Sequence, residues 1–312
     1  MHDATRRIAD APRAAGSSPS RPRRTETFIE REDGASIFVR TDGADNESTI
    51  LILDGIGCSG WAFHRIIPVL AERHRVVLMH YRGHGRSPDP PRPWQVGMHD
   101  LADDAAAVLE HLGCPPALVV GFSMGFQVSL ELYKRHRARV RGLVSLAGPS
   151  GRALSQFQGT DAFSHVLPLA LAATRHAQDL SLRVWRKLLP SKVLQVVGLH
   201  TQLNAARIEL ADFEFYLTQM AAMSPELFLE MLREAARHCT DDLLDQIRVP
   251  TLVVAGQNDR FVPLEALREV AFTIPGAQWV VIPGASHALP AEFCDEIADT
   301  LVEFAQSTFA TP

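Results

Sequence analysis

One stretch decides the fold: Ala117-Leu118-Val119-Val120-Gly121-Phe122-Ser123-Met124-Gly125-Phe126. An apolar strand pattern runs into Gly-x-Ser-x-Gly, and a helical pattern follows from Gln127 to Arg137. A sharp strand-to-helix turn holds Ser123 in a strained backbone with its hydroxyl exposed, and Gly121 and Gly125 leave space where Cβ atoms would collide. Small residues also cluster in ordinary loops, but the position between strand and helix favours a nucleophile. We therefore predict Ser123 as the nucleophile, with the Met124 N–H at a helix N-terminus as an oxyanion donor.

Composition and charge exclude several classes of partner. Of the 312 residues, 46% are apolar and 21% are charged, which is typical of a globular protein with a sizeable core. The net charge of −5 offers no basic footprint for nucleic acid or an anionic membrane. No apolar run approaches the roughly 18–20 residues of a membrane span. The four cysteines form no C-x-x-C pair, so we expect free thiols, no zinc site and a cytoplasmic protein: Cys58, Cys114, Cys239 and Cys294.

Strand and helix patterns alternate along most of the chain. Besides the stretch above, strands are predicted at Thr25–Glu30, Ser36–Thr41, Ser48–Leu53, His74–His80, Gly142–Leu146, Thr251–Ala255 and Gln278–Ile282. Helices are predicted at Trp61–Glu72, His99–Leu112, Leu264–Phe272 and Ala291–Ala305. Continuous apolar strands that alternate with amphipathic helices predict an α/β fold with a mostly parallel sheet covered on both faces.

The alternation breaks twice, which predicts the domain organisation. Residues 1–24 are rich in Ala, Arg, Ser and Pro without an apolar segment, so we expect a disordered tail, with an organellar transit peptide as the alternative. Residues 152–245 show only helical patterns, interrupted by prolines. We therefore predict a helical cap at 152–245, inserted into a core formed by 25–151 and 246–312.

A carboxylate follows the predicted strand that ends at Ala255. Asp259 lies in the next loop, at the edge where open parallel sheets place their sites. The loop after the preceding strand, residues 147–150, contains no carboxylate. A turn or N-cap aspartate is the alternative. With Ser123 upstream we favour Asp259 as the acid of a triad; three other acidic residues in this region are expected to start a helix, namely Asp241, Asp242 and Asp245.

One of the 13 histidines follows Asp259 in the chain. His287 lies just after the last predicted strand, where a neutral imidazole can take the Ser123 proton and return it to a leaving group while Asp259 fixes its tautomer. The order Ser, Asp, His is the one that this strand–turn–helix topology requires. A solvated loop histidine is the alternative. We assign structural roles to His80 and His84.

A second oxyanion donor is expected in the loop after Leu53. Its glycines, Gly55, Gly57 and Gly60, let backbone amides converge, and the Ile56 N–H is our candidate. A flexible turn is the alternative. Cys58 in the same loop has no evident partner that would activate it as a nucleophile.

Five motifs together resemble the α/β-hydrolase superfamily, from about residue 26 to 308: Asp54-Gly55-Ile56-Gly57, Tyr81-Arg82-Gly83-His84-Gly85-Arg86-Ser87, Gly121-Phe122-Ser123-Met124-Gly125, Gly256-Gln257-Asn258-Asp259 and Gly284-Ala285-Ser286-His287. The resemblance implies an eight-stranded, mostly parallel sheet, a Ser–His–Asp triad and neither cofactor nor metal. It also implies a structural role for the segment around His84.

Within the superfamily, Gly-Phe-Ser-Met-Gly and the cap are similar to small-molecule esterases, enol-lactonases, C–C bond hydrolases and cofactor-free perhydrolases. Asp54-Gly55 departs from the His-Gly of many relatives, and Phe126 replaces a small residue. The resemblance implies a serine hydrolase for an ester, lactone or related acyl bond of a small, largely apolar molecule. A C–C hydrolase, an acyltransferase or perhydrolase, and a ligand receptor with slow turnover remain the alternatives. The sequence does not indicate the oligomeric state.

The predicted cap contains aromatic and methionine side chains that could form an apolar ceiling over a pocket. Such residues at helical spacing more often belong to a core, so none is predicted as a site residue. They are Phe157, Phe163, Trp185, Phe213, Phe215, Tyr216, Met220 and Met223.

Overall fold

A computed structural model of the protein describes residues 23–151, 162–192, 204 and 206–310, with residues 162–165 described by their backbone alone. Of the predicted tail, only Arg23 and Arg24 lie within these ranges, and Arg24 is the first residue of the first strand. The parts of the predicted cap at 152–161, 193–203 and 205 lie outside the described residues, as do Phe157 and the Phe163 side chain.

Eight strands form one sheet, which confirms the predicted fold class. They are β1 (Arg24–Glu30), β2 (Ser36–Asp42), β3 (Thr49–Leu53), β4 (Arg75–Met79), β5 (Ala117–Phe122), β6 (Val140–Leu146), β7 (Thr251–Gly256) and β8 (Gln278–Ile282). Their order across the sheet is β1-β2-β4-β3-β5-β6-β7-β8. Strand β2 is antiparallel to β1 and to β4, and the other neighbours are parallel. The carboxyl ends of β3, β5, β7 and β8 therefore meet at one edge.

Ten α-helices occur in the described ranges: α1 (Ile66–Leu70), α2 (Met98–His111), α3 (Met124–Arg135), α4 (Ala162–His176), α5 (Gln178–Leu188), α6 (Leu210–Ala222), α7 (Pro225–Arg237), α8 (Leu264–Thr273), α9 (Leu289–Glu292) and α10 (Cys294–Ala310). Helices α2, α3 and α8 contribute to the hydrophobic core on one face of the sheet, and α1 and α10 to the core on the other. Every residue of β3, β5 and β7 is buried, as expected for a sheet that is covered on both sides.

Two predicted helices are interrupted in the structure. The helix expected at Trp61–Glu72 is a 3₁₀ turn at Trp61–Phe63 followed by the short α1. Proline has no N–H and its ring clashes with the carbonyl four residues earlier, so Pro68 prevents a continuous helix through His64. The helix expected at Ala291–Ala305 is divided into α9 and α10 at Phe293, where the backbone leaves the helical region (φ −127°, ψ 47°).

Helices α4 to α7 all lie between β6 and β7 in the chain, in the segment predicted as the cap. Helix α7 packs on the core through Leu227, which closely approaches Gly83. The buried Glu226 of the same helix accepts a hydrogen bond from Arg92 Nη2 at 2.6 Å. These contacts connect the insertion to the loop after β4. We propose that residues 152–245 act as the cap.

A buried ion-pair cluster connects α2 to the turn between β1 and β2 and to the loop after β4. Asp104 is inaccessible to solvent and accepts hydrogen bonds from Arg82 Nε (2.6 Å) and Nη2 (2.7 Å) and from Arg31 Nε (2.9 Å). Arg82 is itself only 4% exposed. Removing one partner of such a pair leaves a buried charge without compensation, which is costly.

Asp104→Ala is therefore expected to lower the free energy of unfolding by about 3 kcal/mol, measured by urea denaturation. The neighbouring Asp103 pairs with Arg135 and His136 at the surface, so Asp103→Ala should cost roughly 1 kcal/mol or less and serves as the control. Equal decreases in the free energy of unfolding for the two variants would show that the buried pair contributes no more to stability than the surface pair.

Candidate active site

The turn that carries Ser123 is sterically constrained. Ser123 lies between β5 and α3 with φ 52° and ψ −123°, a region that non-glycine residues rarely adopt. A Cβ on Gly125 would lie 1.9 Å from the Leu53 carbonyl oxygen, and one on Gly121 would lie 2.6 Å from the Phe126 nitrogen. Only glycine fits at these two positions, which is the physical basis of the Gly-x-Ser-x-Gly spacing.

The structure brings Ser123, His287 and Asp259 together from three loops at one sheet edge. His287 Nε2 is 2.9 Å from Ser123 Oγ, and His287 Nδ1 is 2.8 Å from Asp259 Oδ2. Because a carboxylate only accepts, Nδ1 carries the proton and Nε2 is left to accept from the serine hydroxyl. The Asp259 side chain is inaccessible to solvent, and that of His287 is 15% exposed. The arrangement can therefore draw the proton from Ser123 towards His287.

Asp259 also performs the turn role that was its alternative interpretation. Its Oδ1 accepts hydrogen bonds from the N–H groups of Phe261 (2.7 Å) and Val262 (3.0 Å). Each oxygen therefore has a separate function, one holding the loop and the other facing the imidazole. The Phe261 and Phe122 rings flank the His287 ring at centroid distances of 5.0 and 5.5 Å. The imidazole thus lies in apolar surroundings with its orientation fixed.

Sequence reasoning missed Glu292, which shapes the loop that carries His287. Glu292 is buried in α9, where Oε2 accepts from the Ser286 N–H at 2.8 Å and Oε1 accepts from the Ser286 hydroxyl. Its Oε1 also accepts from the Asn204 N–H at 2.7 Å. The residue next to His287 is therefore held by a carboxylate that also contacts Asn204 of the predicted cap.

The loop after β3 is fixed on both sides of Ile56. The Gly55 N–H donates to Asp54 Oδ1 at 2.8 Å, and the Gly57 N–H donates to His84 Nε2 at 3.0 Å. Ile56 is half-buried between them. Met124 is the first residue of α3, directly after Ser123, as predicted. Because Gly125 packs against the Leu53 and Asp54 carbonyls, the loop begins beside the turn that carries Ser123.

Within the described residues, His80 and His84 hydrogen-bond to backbone groups of nearby loops and not to Ser123. His84 is fully buried, and its Nδ1 lies 3.1 Å from the Arg82 carbonyl oxygen. His80 Nδ1 accepts from the Arg86 N–H at 3.0 Å. Burial lowers the pKa of each histidine to about 4, so both are neutral near pH 7. Neutral His84 accepts the Gly57 amide and so supports the loop after β3.

Side chains from α6 and α7 lie over the loop after β3. A Cβ on Gly57 would lie 3.1 Å from Met220 Sδ and 3.2 Å from Phe228 Cε2. Tyr216 stacks on Trp61 with 4.9 Å between ring centroids. Phe228 was not singled out from the sequence, and Met220 and Tyr216 were considered core residues. Helical periodicity does not reveal that the buried face of an insertion packs against a loop distant in sequence.

The thiols and carboxylates do not suggest a second reactive centre. Burial together with the Asp54 carboxylate raises the pKa of the Cys58 thiol well above its usual value, which disfavours a nucleophilic role. Among the described residues, no cluster of His, Cys, Asp and Glu has the arrangement of a metal site. Within the same ranges, every helix is too short or too polar to span a bilayer.

Comparison with known proteins gives the family. Residues 48–292 match the model of the α/β-hydrolase fold family. The chain is 27% identical over 274 residues to the magnesium-chelatase 30 kDa subunit of Rhodobacter capsulatus, covering 86% of this chain and 90% of that protein. It is 29% identical over 263 residues to a pimeloyl-[acyl-carrier protein] methyl ester esterase of Xanthomonas oryzae pv. oryzae, covering 83% of this chain and 95% of that protein.

Solved structures agree on the fold. A hydrolase from Pseudomonas aeruginosa PA01 superposes with a TM-score of 0.73 at 24% identity, covering 89% of this chain and 97% of that one. The sheet order, the strained turn at Ser123 and the family match are mutually consistent. The chain belongs to the α/β-hydrolase fold family.

Proposed function

We propose that the protein is a serine hydrolase that cleaves a carboxylic ester, lactone or related acyl bond through an acyl-enzyme on Ser123. The observation that carries the proposal is the hydrogen-bonded series Ser123–His287–Asp259, at 2.9 and 2.8 Å. A relative named as a methyl ester esterase and another named as a putative carbamate hydrolase support chemistry at an acyl carbon.

In the proposed first step, Ser123 Oγ attacks the carbonyl carbon as its proton passes to His287 Nε2. Asp259 stabilises the resulting imidazolium through Nδ1 and fixes the ring orientation. The Met124 and Ile56 N–H groups donate to the oxyanion of the tetrahedral intermediate. His287 then protonates the leaving group, the C–O bond breaks, and the acyl group remains on Ser123.

In the second step, water attacks the acyl-enzyme while His287 takes one of its protons. A second tetrahedral intermediate collapses, the carboxylic acid leaves, and the proton returns to Ser123. Each proton that His287 accepts is thus returned within the same half-reaction, and the cycle uses neither cofactor nor metal.

The side chains around the proposed site support an apolar acyl group as the substrate class. The rings of Phe122 and Phe261 flank His287, and Met220 and Phe228 cover the loop of Ile56. These groups are apolar, and they favour an uncharged acyl group of small to medium size over a charged one.

The experiment that tests the proposal is hydrolysis of p-nitrophenyl esters from acetate to dodecanoate by the wild type and by Ser123→Ala. We expect turnover that depends on Ser123 and is greatest for a short or medium acyl chain. A folded wild type that hydrolyses none of the esters would contradict the proposal.

Met220→Ala is expected to shift the preference towards longer acyl chains, because it removes the thioether that lies against Gly57. The ratio of kcat/KM for octanoate to that for acetate should rise by about tenfold, the lower end of the effect of one methylene in a fitted pocket. Met223→Ala is the control, since Met223 is also buried and directly follows the same helix but is not among the nearest neighbours of Gly57. If the kcat/KM ratio were unchanged, or changed equally in both variants, Met220 would not line the acyl pocket.

A further inference from the structure

The Asp54 carboxylate holds both ends of the loop that carries Ile56. Its Oδ1 accepts from the Gly55 N–H at 2.8 Å, and its Oδ2 accepts from the Gly60 N–H at 2.7 Å. Asp54 is 1% exposed and follows directly after the last residue of β3. One side chain therefore closes residues 54–60 into a compact loop. Hydrogen bonds to an ionised acceptor are stronger than neutral ones, so the charged carboxylate holds the loop most firmly.

The orientation of the Ile56 peptide depends on this closure. The N–H groups on either side of Ile56 are both hydrogen-bonded, that of Gly55 to Asp54 and that of Gly57 to His84. The Cys58 N–H donates to the Gly55 carbonyl at 3.2 Å, which adds a tight turn across Ile56. If the Gly55 amide were released, the peptide plane before Ile56 could rotate. The proposed oxyanion donor would then lose its fixed direction.

No charge compensation for Asp54 comes from its surroundings within the described residues. The titratable groups that face it are the Cys58 thiol from the same loop, the Tyr81 phenol after β4 and the Tyr216 phenol from α6. Burial raises the pKa of all three well above the usual values, and the negative charge of Asp54 adds to this, so each is neutral. His84, on the far side of Gly57, is also neutral. Burial raises the pKa of Asp54 to about 6.

We propose that Asp54 is a positioning residue for the oxyanion pocket, whose ionised carboxylate holds the Ile56 amide in the direction needed for turnover. The inference rests on the proposed function. Protonation of Asp54 turns one acceptor oxygen into a hydroxyl, so one of the two amides, at Gly55 or Gly60, loses its strong acceptor. Turnover therefore falls as Asp54 is protonated, because Asp54 acts through the loop that it holds.

The fold responds to the same proton in the opposite sense. The pKa of Asp54 is higher in the folded protein than in the unfolded chain, so the folded state binds the proton more tightly. The contribution of this proton to stability is complete below about pH 4 and is lost as the pH rises through about 6. Acidification over this window thus stabilises the fold through Asp54 while it lowers turnover, a combination that a purely structural role does not give.

The test compares the wild type with Asp54→Asn on a p-nitrophenyl ester between about pH 5 and pH 8, at a temperature well below the Tm of each. Asparagine keeps one acceptor oxygen but turns an NH₂ group towards the second amide. At pH 8 we expect kcat to fall by about 10- to 100-fold with KM changed by less than about threefold. Towards pH 5 the ratio of the two kcat values should shrink towards one, because the protonated wild type resembles the amide. Any pH dependence of kcat that the two proteins share cancels in the ratio.

The control is Asp100→Asn, because Asp100 also accepts a glycine N–H, that of Gly97 at 2.9 Å, but at the start of α2. Its kcat should stay within about twofold of the wild type. The Tm of the wild type relative to Asp54→Asn should rise as the pH falls from about 7 to about 5. The proposal would be overturned if the wild type and Asp54→Asn had nearly the same kcat at pH 8. It would also be overturned if the ratio of their kcat values did not change with pH.

Two further steps keep the result decisive. If Asp54→Asn does not fold, Asp54→Ser is used, since its hydroxyl can still accept from the Gly55 amide. Ser123→Ala is measured on the same ester first. Turnover that persists without Ser123 refutes the proposed function, whereas turnover that needs Ser123 but not the Asp54 charge refutes only the present inference.

Discussion

Ser123→Ala is expected to lower kcat by on the order of 10³-fold or more on any p-nitrophenyl ester that the wild type hydrolyses. Without Oγ no acyl-enzyme forms, and His287 has no proton to accept. The residual rate should come only from substrate binding and the oxyanion donors. Far-UV circular dichroism and the Tm should match the wild type, because alanine keeps the backbone of the turn and the packing of Gly121 and Gly125. Near-normal turnover by a folded variant would refute the nucleophile assignment.

Ser123→Gly provides the matched control for backbone strain. Both variants lack the hydroxyl and should be equally inactive. At φ 52° a Cβ is disfavoured, so the glycine variant should be more stable than the alanine variant by about 1 kcal/mol. Equal stability would mean that the turn is not strained, whereas different activities would mean that more than the hydroxyl was lost.

Asp259→Asn is expected to lower kcat by about 10⁴-fold with little change in KM. The amide oxygen can still hold the N–H groups of Phe261 and Val262, so the loop should keep its shape. The amide NH₂, however, would face His287 Nδ1 and favour the tautomer with its proton on Nε2. That nitrogen could then no longer accept from the Ser123 hydroxyl, which lies 2.9 Å away.

The comparison for this variant is Asp242→Asn, an exposed carboxylate in the segment that leads back from the predicted cap. It should retain the wild-type kcat and Tm. If kcat fell by less than about tenfold in Asp259→Asn, or fell equally in the two variants, Asp259 would have no role in the proposed proton transfer.

The sheet could be predicted because its signal is local. Apolar runs such as Leu118–Val120 are long enough to be buried on both faces, and their alternation with helices limits the possible topologies. The order of Ser123, Asp259 and His287 follows from the same topology, since each comes after a different parallel strand. Their juxtaposition is thus a consequence of strand order, and the family match agrees with that order.

The rest depends on contacts that no local pattern encodes. The buried Glu292 carboxylate binds Ser286, six residues earlier, in the loop of His287. Nothing in the sequence indicates that this acidic side chain is buried. Phe228 meets Gly57 only because an insertion of helices folds over the core. The continuous helix predicted at Trp61–Glu72 is wrong for a local reason: the hydrophobic pattern indicates a helix, but Pro68 interrupts it.

The central claim is that an acyl group is transferred to Ser123 Oγ. The most direct measurement is mass spectrometry of the protein after rapid acid quenching of its reaction with p-nitrophenyl acetate, followed by peptide mapping. We expect a single acetyl adduct on the peptide that contains Ser123, absent from Ser123→Ala and longer-lived in Asp259→Asn if deacylation is slowed more than acylation. Full turnover by the wild type with no adduct on Ser123, or with an adduct that persists in Ser123→Ala, would contradict the account.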